Sequence, residues 1–128
     1  MTTQVVGSVR RRADFAALRR APGRASAGPI RVSYVPHLAA PQSASPTPQV
    51  AYAISRQCGN AVQRNRLRRR LRAVVGQEAA SLAPGCYLVS AGPTAHDLAP
   101  VELHEALTRA MREACARAQH ALAAKGAR

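Results

Sequence analysis

The sequence predicts an α+β domain, a two-layer sandwich of helices on a small sheet, with elements in the order α-β-β-β-α-β-α. Three observations carry that expectation. Ile30, Val32 and Tyr34 alternate with Arg31 and Ser33, the period of a half-buried strand. "VAYAIS" (50–55) and "CYLVSA" (86–91) are short apolar runs between turn signals. Two longer segments, 60–78 and 100–122, repeat apolar residues at helical spacing. A chain of 128 residues suffices for one compact domain, taken as 1–128, and not for two ordinary ones. No internal repeat divides it.

Residues 1–8 are small and polar and read as a flexible arm. "RRRADFAALRRA" (10–21) reads as a short helix, with Asp14 in its first half and Arg19 and Arg20 at its end, as the helix dipole favours. Phe15 and Leu18 share one face of it, and Pro22-Gly23 stops it. A short strand around 24–27 precedes the strand of Ile30 to Tyr34. Pro36, Pro41, Pro46 and Pro48, mixed with Ser and Ala, make 36–49 a surface loop. Pro84-Gly85 and Gly92-Pro93 bound the strand 86–91. Pro100 opens the last helix, whose stripe is Leu103, Leu107, Met111, Ala114, Ala118 and Leu122. Aromatic residues are only 3%, so an aliphatic core is expected.

The formal net charge is +13, which calls for an anionic partner such as nucleic acid. Its distribution is sharper than its size. After residue 77 acids and bases balance, and before it Asp14 is the sole acid, so the whole excess lies in the first part of the chain. Only Lys125 among the basic residues is not arginine. Codon bias in a GC-rich genome accounts for much of that choice, though not for the clustering. Cys58, Cys86 and Cys115 form neither a disulfide framework nor a zinc motif, as in a reduced cytoplasmic protein. No stretch resembles a signal peptide or a membrane span, so no membrane partner is expected.

The charge concentrates in "GNAVQRNRLRRRLRAVV" (59–75). At about 100° per residue, Leu67, Leu71, Val74 and Val75 share one stripe, and arginines occupy most of the remaining arc. Like-charge pairs such as 64/68, 68/72, 66/70 and 69/72 cost roughly 0.2–0.5 kcal/mol each, less in salt. Each buried leucine or valine contributes about 1.5–3 kcal/mol. Packing therefore wins, the helix folds without a partner, and an anion relieves the remaining repulsion. Periodic leucines argue against a disordered basic tail, and the missing acids argue against an ordinary salt-bridged surface helix. Gly59 permits an unusual backbone angle and Asn60 is a good N-cap, so the helix start offers free N–H groups suited to phosphate.

Catalytic sets are missing. His37, His96, His104 and His120 lack metal-ligand spacing, no phosphate-binding glycine loop occurs, and the basic half lacks the clustered carboxylates of a metal nuclease. No catalytic or metal-binding residue is assigned. Phe15 and Tyr34 are candidate stacking platforms for unpaired bases, or plain core residues.

The stretch from Ser55 to Arg72 closely resembles the signature of the bacterial ribonuclease P protein subunit. That family shows a strand ending in Ser-Lys-Lys, then Gly-Asn-Ala-Val, an Arg-Asn-Arg core and further basic residues on the same helix. Here the matching residues are Ser55-Arg56-Gln57, Gly59-Asn60-Ala61-Val62, Arg64-Asn65-Arg66, then Arg68, Arg69 and Arg72. The element order, the length, Asp14-Phe15 and a tyrosine on the second strand, Tyr34, agree as well.

The resemblance implies a ribosomal protein S5 domain 2-like fold, with a four-stranded sheet and a left-handed β-α-β crossover against the usual hand. It implies that the chain is a non-catalytic, monomeric subunit. An RNA subunit would perform the Mg²⁺-dependent hydrolysis that removes the 5′ leader of precursor tRNA. By the same resemblance Arg56, Asn60, Arg64, Asn65, Arg66, Arg68, Arg69 and Arg72 meet the catalytic RNA. A cleft between the first helix and the sheet, with Phe15, Arg19, Arg24 and Tyr34, takes the single-stranded leader. Gln57 stands in place of a second Lys, Arg19 in place of an aromatic, Ser90 in place of an Arg, and Tyr52 in place of an aliphatic. A ribosomal-type structural RNA-binding protein is the alternative.

Overall fold

A computed structural model describes residues 7–8, 12–36 and 48–126, with 7–8, 12–15, 125 and 126 in backbone only. The elements are β1 (Gly7–Ser8), α1 (Arg12–Arg19), β2 (Gly23–Ala27), β3 (Ile30–Pro36), β4 (Gln49–Ile54), α2 (Ala61–Gln77), β5 (Gly85–Ala91) and α3 (Pro100–Gly126). Short 3₁₀ turns lie at Arg56–Cys58, Ala79–Ser81 and Ala95–Asp97. The expected order is present with one addition. Gly7–Ser8, expected in a loose arm, pairs in parallel with Gln49 and Val50. A two-residue ladder uses only backbone groups and leaves no side-chain period to detect. Most of the expected arm (1–6) and loop (37–47) lies outside the described residues.

The strands run in the order β1-β4-β5-β3-β2. β4 and β5 are parallel neighbours joined through α2, whereas β2, β3 and β5 pair antiparallel. A two-residue turn links β2 to β3, and Gly28 supplies the positive φ of 58° that the turn requires.

Period-2 alternation sends two sets of side chains to opposite faces. On one face Ile30, Val32, Tyr34, Val50, Tyr87 and Val89 meet Leu67, Leu71 and Val75 of α2 and Leu103, Leu107, Met111 and Ala114 of α3. α3 lies almost on the backbone of β2: a Cβ on Gly23 would stand 2.0 Å from the Ala114 carbonyl oxygen. Small residues at Ala114 and Ala118 permit that approach. The helix then outruns the sheet, which leaves Leu122, expected in its apolar stripe, 39% exposed.

The core is not purely aliphatic. Tyr34 and Tyr87 sit inside it with ring centroids 4.7 Å apart. Their hydroxyls donate to the carbonyls of Pro84 and Ala83, each at 2.7 Å, which removes the penalty of burying them. On the other face α1 covers one end of the sheet, with Leu18 packed among Val35 and Cys86 and bordered by Ala17, Ala21, Ala51 and Leu88. Cys58, Cys86 and Cys115 form no disulfide with one another.

Candidate RNA interface

The candidate interface is centred on the start of α2. Ser55 closes β4, and its hydroxyl accepts from the Gln57 amide at 3.1 Å to begin the 3₁₀ turn. Cys58, 1% exposed, ties that turn to the end of β5, its thiol donating toward the carbonyl of Gly92 at 3.1 Å. Gly59 follows with φ 122° and ψ −163°, a region that is essentially glycine-only. A Cβ there would stand 2.0 Å from Gln63 Oε1. That oxygen accepts from the Asn60 amide at 3.0 Å while Asn60 Oδ1 accepts from the Gln63 amide at 2.9 Å, a reciprocal capping box. The N-cap at Asn60 was legible. The need for Gln63 three residues on, and for Gly59 to admit it, follows from the same spacing and was missed.

The apolar stripe is buried as its spacing predicts, with Leu67 at 1%, Leu71 at 0%, Val74 at 7% and Val75 at 1% exposed. Arg66, Arg69 and Arg72 are exposed, and Arg64 and Arg68 flank the stripe half-buried. Among the described residues the ion pairs are Arg117–Glu113, His104–Glu78 and His96–Asp97, so no arginine of α2 has an acidic partner.

Within the arc the arginines differ. Arg68 Nη1 donates to Asn65 Oδ1 at 2.9 Å, so Asn65 has a role inside the protein: it holds Arg68. Arg72 lies 5.6 Å from the centroid of the Tyr52 ring, a cation–π contact. Burial raises the Tyr52 hydroxyl pKa to about 12, against the opposing pull of Arg72, so the ring stays neutral beside its cation. Tyr52, which stands where an aliphatic was expected, thus positions an arginine. Arg70 is used by the fold itself and donates to the Leu98 carbonyl at 2.6 Å and that of His96 at 3.4 Å. Arg64 Nε is buried with no hydrogen-bond partner among the described residues. Arg56 is exposed in the 3₁₀ turn just ahead of this helix, and Val62 on its first turn is 67% exposed.

Of the expected leader residues, Arg19 and Arg24 lie on the other side of the sheet, where α1 packs. Arg19 is exposed at the end of α1, and Arg24 on β2 donates from Nη2 to the Arg19 carbonyl. Phe15 falls on α1, but its side chain lies outside the described residues. Tyr34 requires a correction. It projects to the helix-covered face, is 3% exposed and stacks on Tyr87, so its ring cannot receive a base. Burial, reinforced by the nearby Cys115 and Cys86 thiols, lifts its hydroxyl pKa to about 12. The strand parity that makes Tyr34 core places Ser33 on the open face instead.

At the far end of α2, His104 and Glu78 meet at 2.9 Å. That hydrogen bond is the main reason the Glu78 carboxyl is held below its usual pKa. Among the described residues no three metal-ligating side chains come together.

Comparison with known proteins agrees with this architecture. The family model for ribonuclease P matches residues 6–124. The ribonuclease P protein component of Streptomyces avermitilis is 36% identical over 113 residues, covering 79% of this chain and 89% of that protein. The Streptomyces bikiniensis component is 35% identical over the same shares. Among solved structures, a Staphylococcus aureus RNase P protein mutant superposes with a TM-score of 0.71 at 17% identity, covering 82% of this chain and 85% of that one. The Thermotoga maritima RNase P protein gives 0.68 at 15% identity, covering 82% and 94%. An Arg-Asn-Arg helix docked by a narrow apolar stripe on this sheet, together with the match across nearly the whole chain, places the protein in the ribonuclease P protein family.

Proposed function

We propose that the chain is the protein subunit of a ribonuclease P holoenzyme, which binds the catalytic RNA through α2 and the 5′ leader of precursor tRNA through the open face beside α1. The observation that carries this reading is the acid-free arginine arc of α2. Arg64, Arg66, Arg68, Arg69 and Arg72 have no ion-pair partner among the described residues, whereas Arg70 is consumed by the fold. Forked guanidiniums held on a rigid helix suit bidentate contact with phosphate. In this reading the RNA supplies the Mg²⁺ site and the bond cleavage, and this chain supplies guanidinium contacts to phosphate.

Reconstitution tests the proposal. Adding the protein to a bacterial ribonuclease P RNA at low Mg²⁺ should accelerate leader removal from precursor tRNA. Binding without acceleration would favour a structural RNA-binding protein, and cleavage by the protein alone would overturn the non-catalytic role.

A further inference from the structure

We propose that Tyr52 is a positioning residue for RNA binding: it acts through Arg72, whose guanidinium its ring holds in place before the RNA arrives. This rests on the ribonuclease P reading and deepens it at one contact of the arginine arc.

Arg64, Arg68 and Arg72 recur every fourth residue and form one row along α2, about 6 Å apart. Neighbours in that row repel each other, and a free arginine on a helix surface samples many rotamers. Each such side chain that must be ordered on binding weakens association. Arg68 is restrained by Asn65 Oδ1 at 2.9 Å. Arg72 is exposed and has no hydrogen bond or ion pair among the described residues. Its restraint is the Tyr52 ring, whose centroid lies 5.6 Å from the guanidinium carbon.

The ring is itself fixed by the fold. Tyr52 lies on β4 opposite Val89 of β5 and packs, half-buried, against the main core. An aliphatic residue, expected at this position, would fill similar space but carries no quadrupole to attract a cation. An acid there would also fix the arginine, but it would neutralise the charge that RNA requires. The ring leaves the donors free as well. Arg70 gives two nitrogens to the carbonyls of His96 and Leu98. Arg72 gives none to a protein acceptor among the described residues, so the whole fork remains for a phosphate.

The test combines Tyr52→Leu, Tyr52→Phe and Arg72→Ala, alone and paired, in titrations with a bacterial ribonuclease P RNA and in NMR spectra of the free protein. Tyr52→Leu should weaken binding about two- to fivefold, the range of an exposed cation–π contact. It should keep the log–log salt slope, because Arg72 still meets its phosphate. Arg72→Ala should weaken binding and lower that slope by about 0.7–0.9. In the Arg72→Ala background Tyr52→Leu should have no further effect, and Tyr52→Phe alone should bind as wild type does. The ring-current shift of the Arg72 side-chain protons should be present in wild type and Tyr52→Phe and absent in Tyr52→Leu. Tyr52→Met takes the place of Tyr52→Leu should that variant not fold. Wild-type affinity in Tyr52→Leu, an equal loss in the Arg72→Ala background, or failure of Tyr52→Phe to restore binding overturns the inference, while stimulation of leader removal by wild type upholds the functional reading. Absence of stimulation by wild type overturns both.

Discussion

Arg66 and Arg70 stand one turn apart on the same helix and do different work. Arg70 spends its guanidinium on the carbonyls of His96 and Leu98, which anchors α2 to the segment that leads into α3. Arg66 is exposed and has no hydrogen bond or ion pair among the described residues. Arg66→Ala should therefore leave thermal stability within about 0.5 kcal/mol and reduce the salt slope of RNA binding by just under one. Arg70→Ala should cost about 1–2 kcal/mol of stability through two lost charge-assisted hydrogen bonds. Thermal melts and RNA titrations on the same preparations separate the two; a large melting loss in Arg66→Ala would make that residue structural. In the sequence the arginines of α2 look alike. Periodicity shows which side of the helix each occupies and not which neighbouring carbonyl lies within reach.

At the scale of elements, the entry to α2 is tightly constrained. Gly59, Asn60 and Gln63 form one device, because only glycine adopts the backbone angle and only a missing Cβ admits the Gln63 amide. Gly59→Ala should destabilise the protein by about 1–3 kcal/mol, and Asn60→Ala by about 1 kcal/mol. Denaturant titration checks both, and a Gly59→Ala protein as stable as wild type would contradict the capping geometry. The exit from α2 is held by Glu78 on His104. Because the folded carboxyl is depressed, its stabilisation is present above its ordinary value of 4.5 and lost as pH falls through the lower folded value. Melting temperature should thus fall on acidification below about pH 4.5 partly through this group, and Glu78→Gln should flatten that limb. An unchanged limb would place the acid sensitivity elsewhere.

Over the whole molecule, a charge of +13 is carried by a domain whose second part is neutral. The α2 arc and the open sheet face lie on opposite sides of the sheet, so a bound RNA partner has two separate cationic surfaces to meet. Raising salt should weaken RNA binding steeply, because several counterions are released at once. It should leave the melting temperature of the free protein unchanged or slightly higher, since it screens arginine–arginine repulsion. Parallel salt series of binding and melting test this, and a matching loss of stability would show that the basic residues hold the fold together.

The sequence by itself determined the α+β class, the basic helix and its apolar stripe, and the concentration of positive charge on that helix. Those features depend on residue type and spacing along one element, where physical periods of 2 and 3.6 are written directly in the chain. The tertiary structure alone decided what happens between elements. It put Tyr34 in the core, paired Gly7–Ser8 with β4, consumed Arg70 at Leu98, and set Tyr52 beneath Arg72. It also aligned Arg31 with Ser26 and Ser90 across three strands. Each of these joins groups distant in the chain, and such contacts follow from register and packing, which no local pattern encodes.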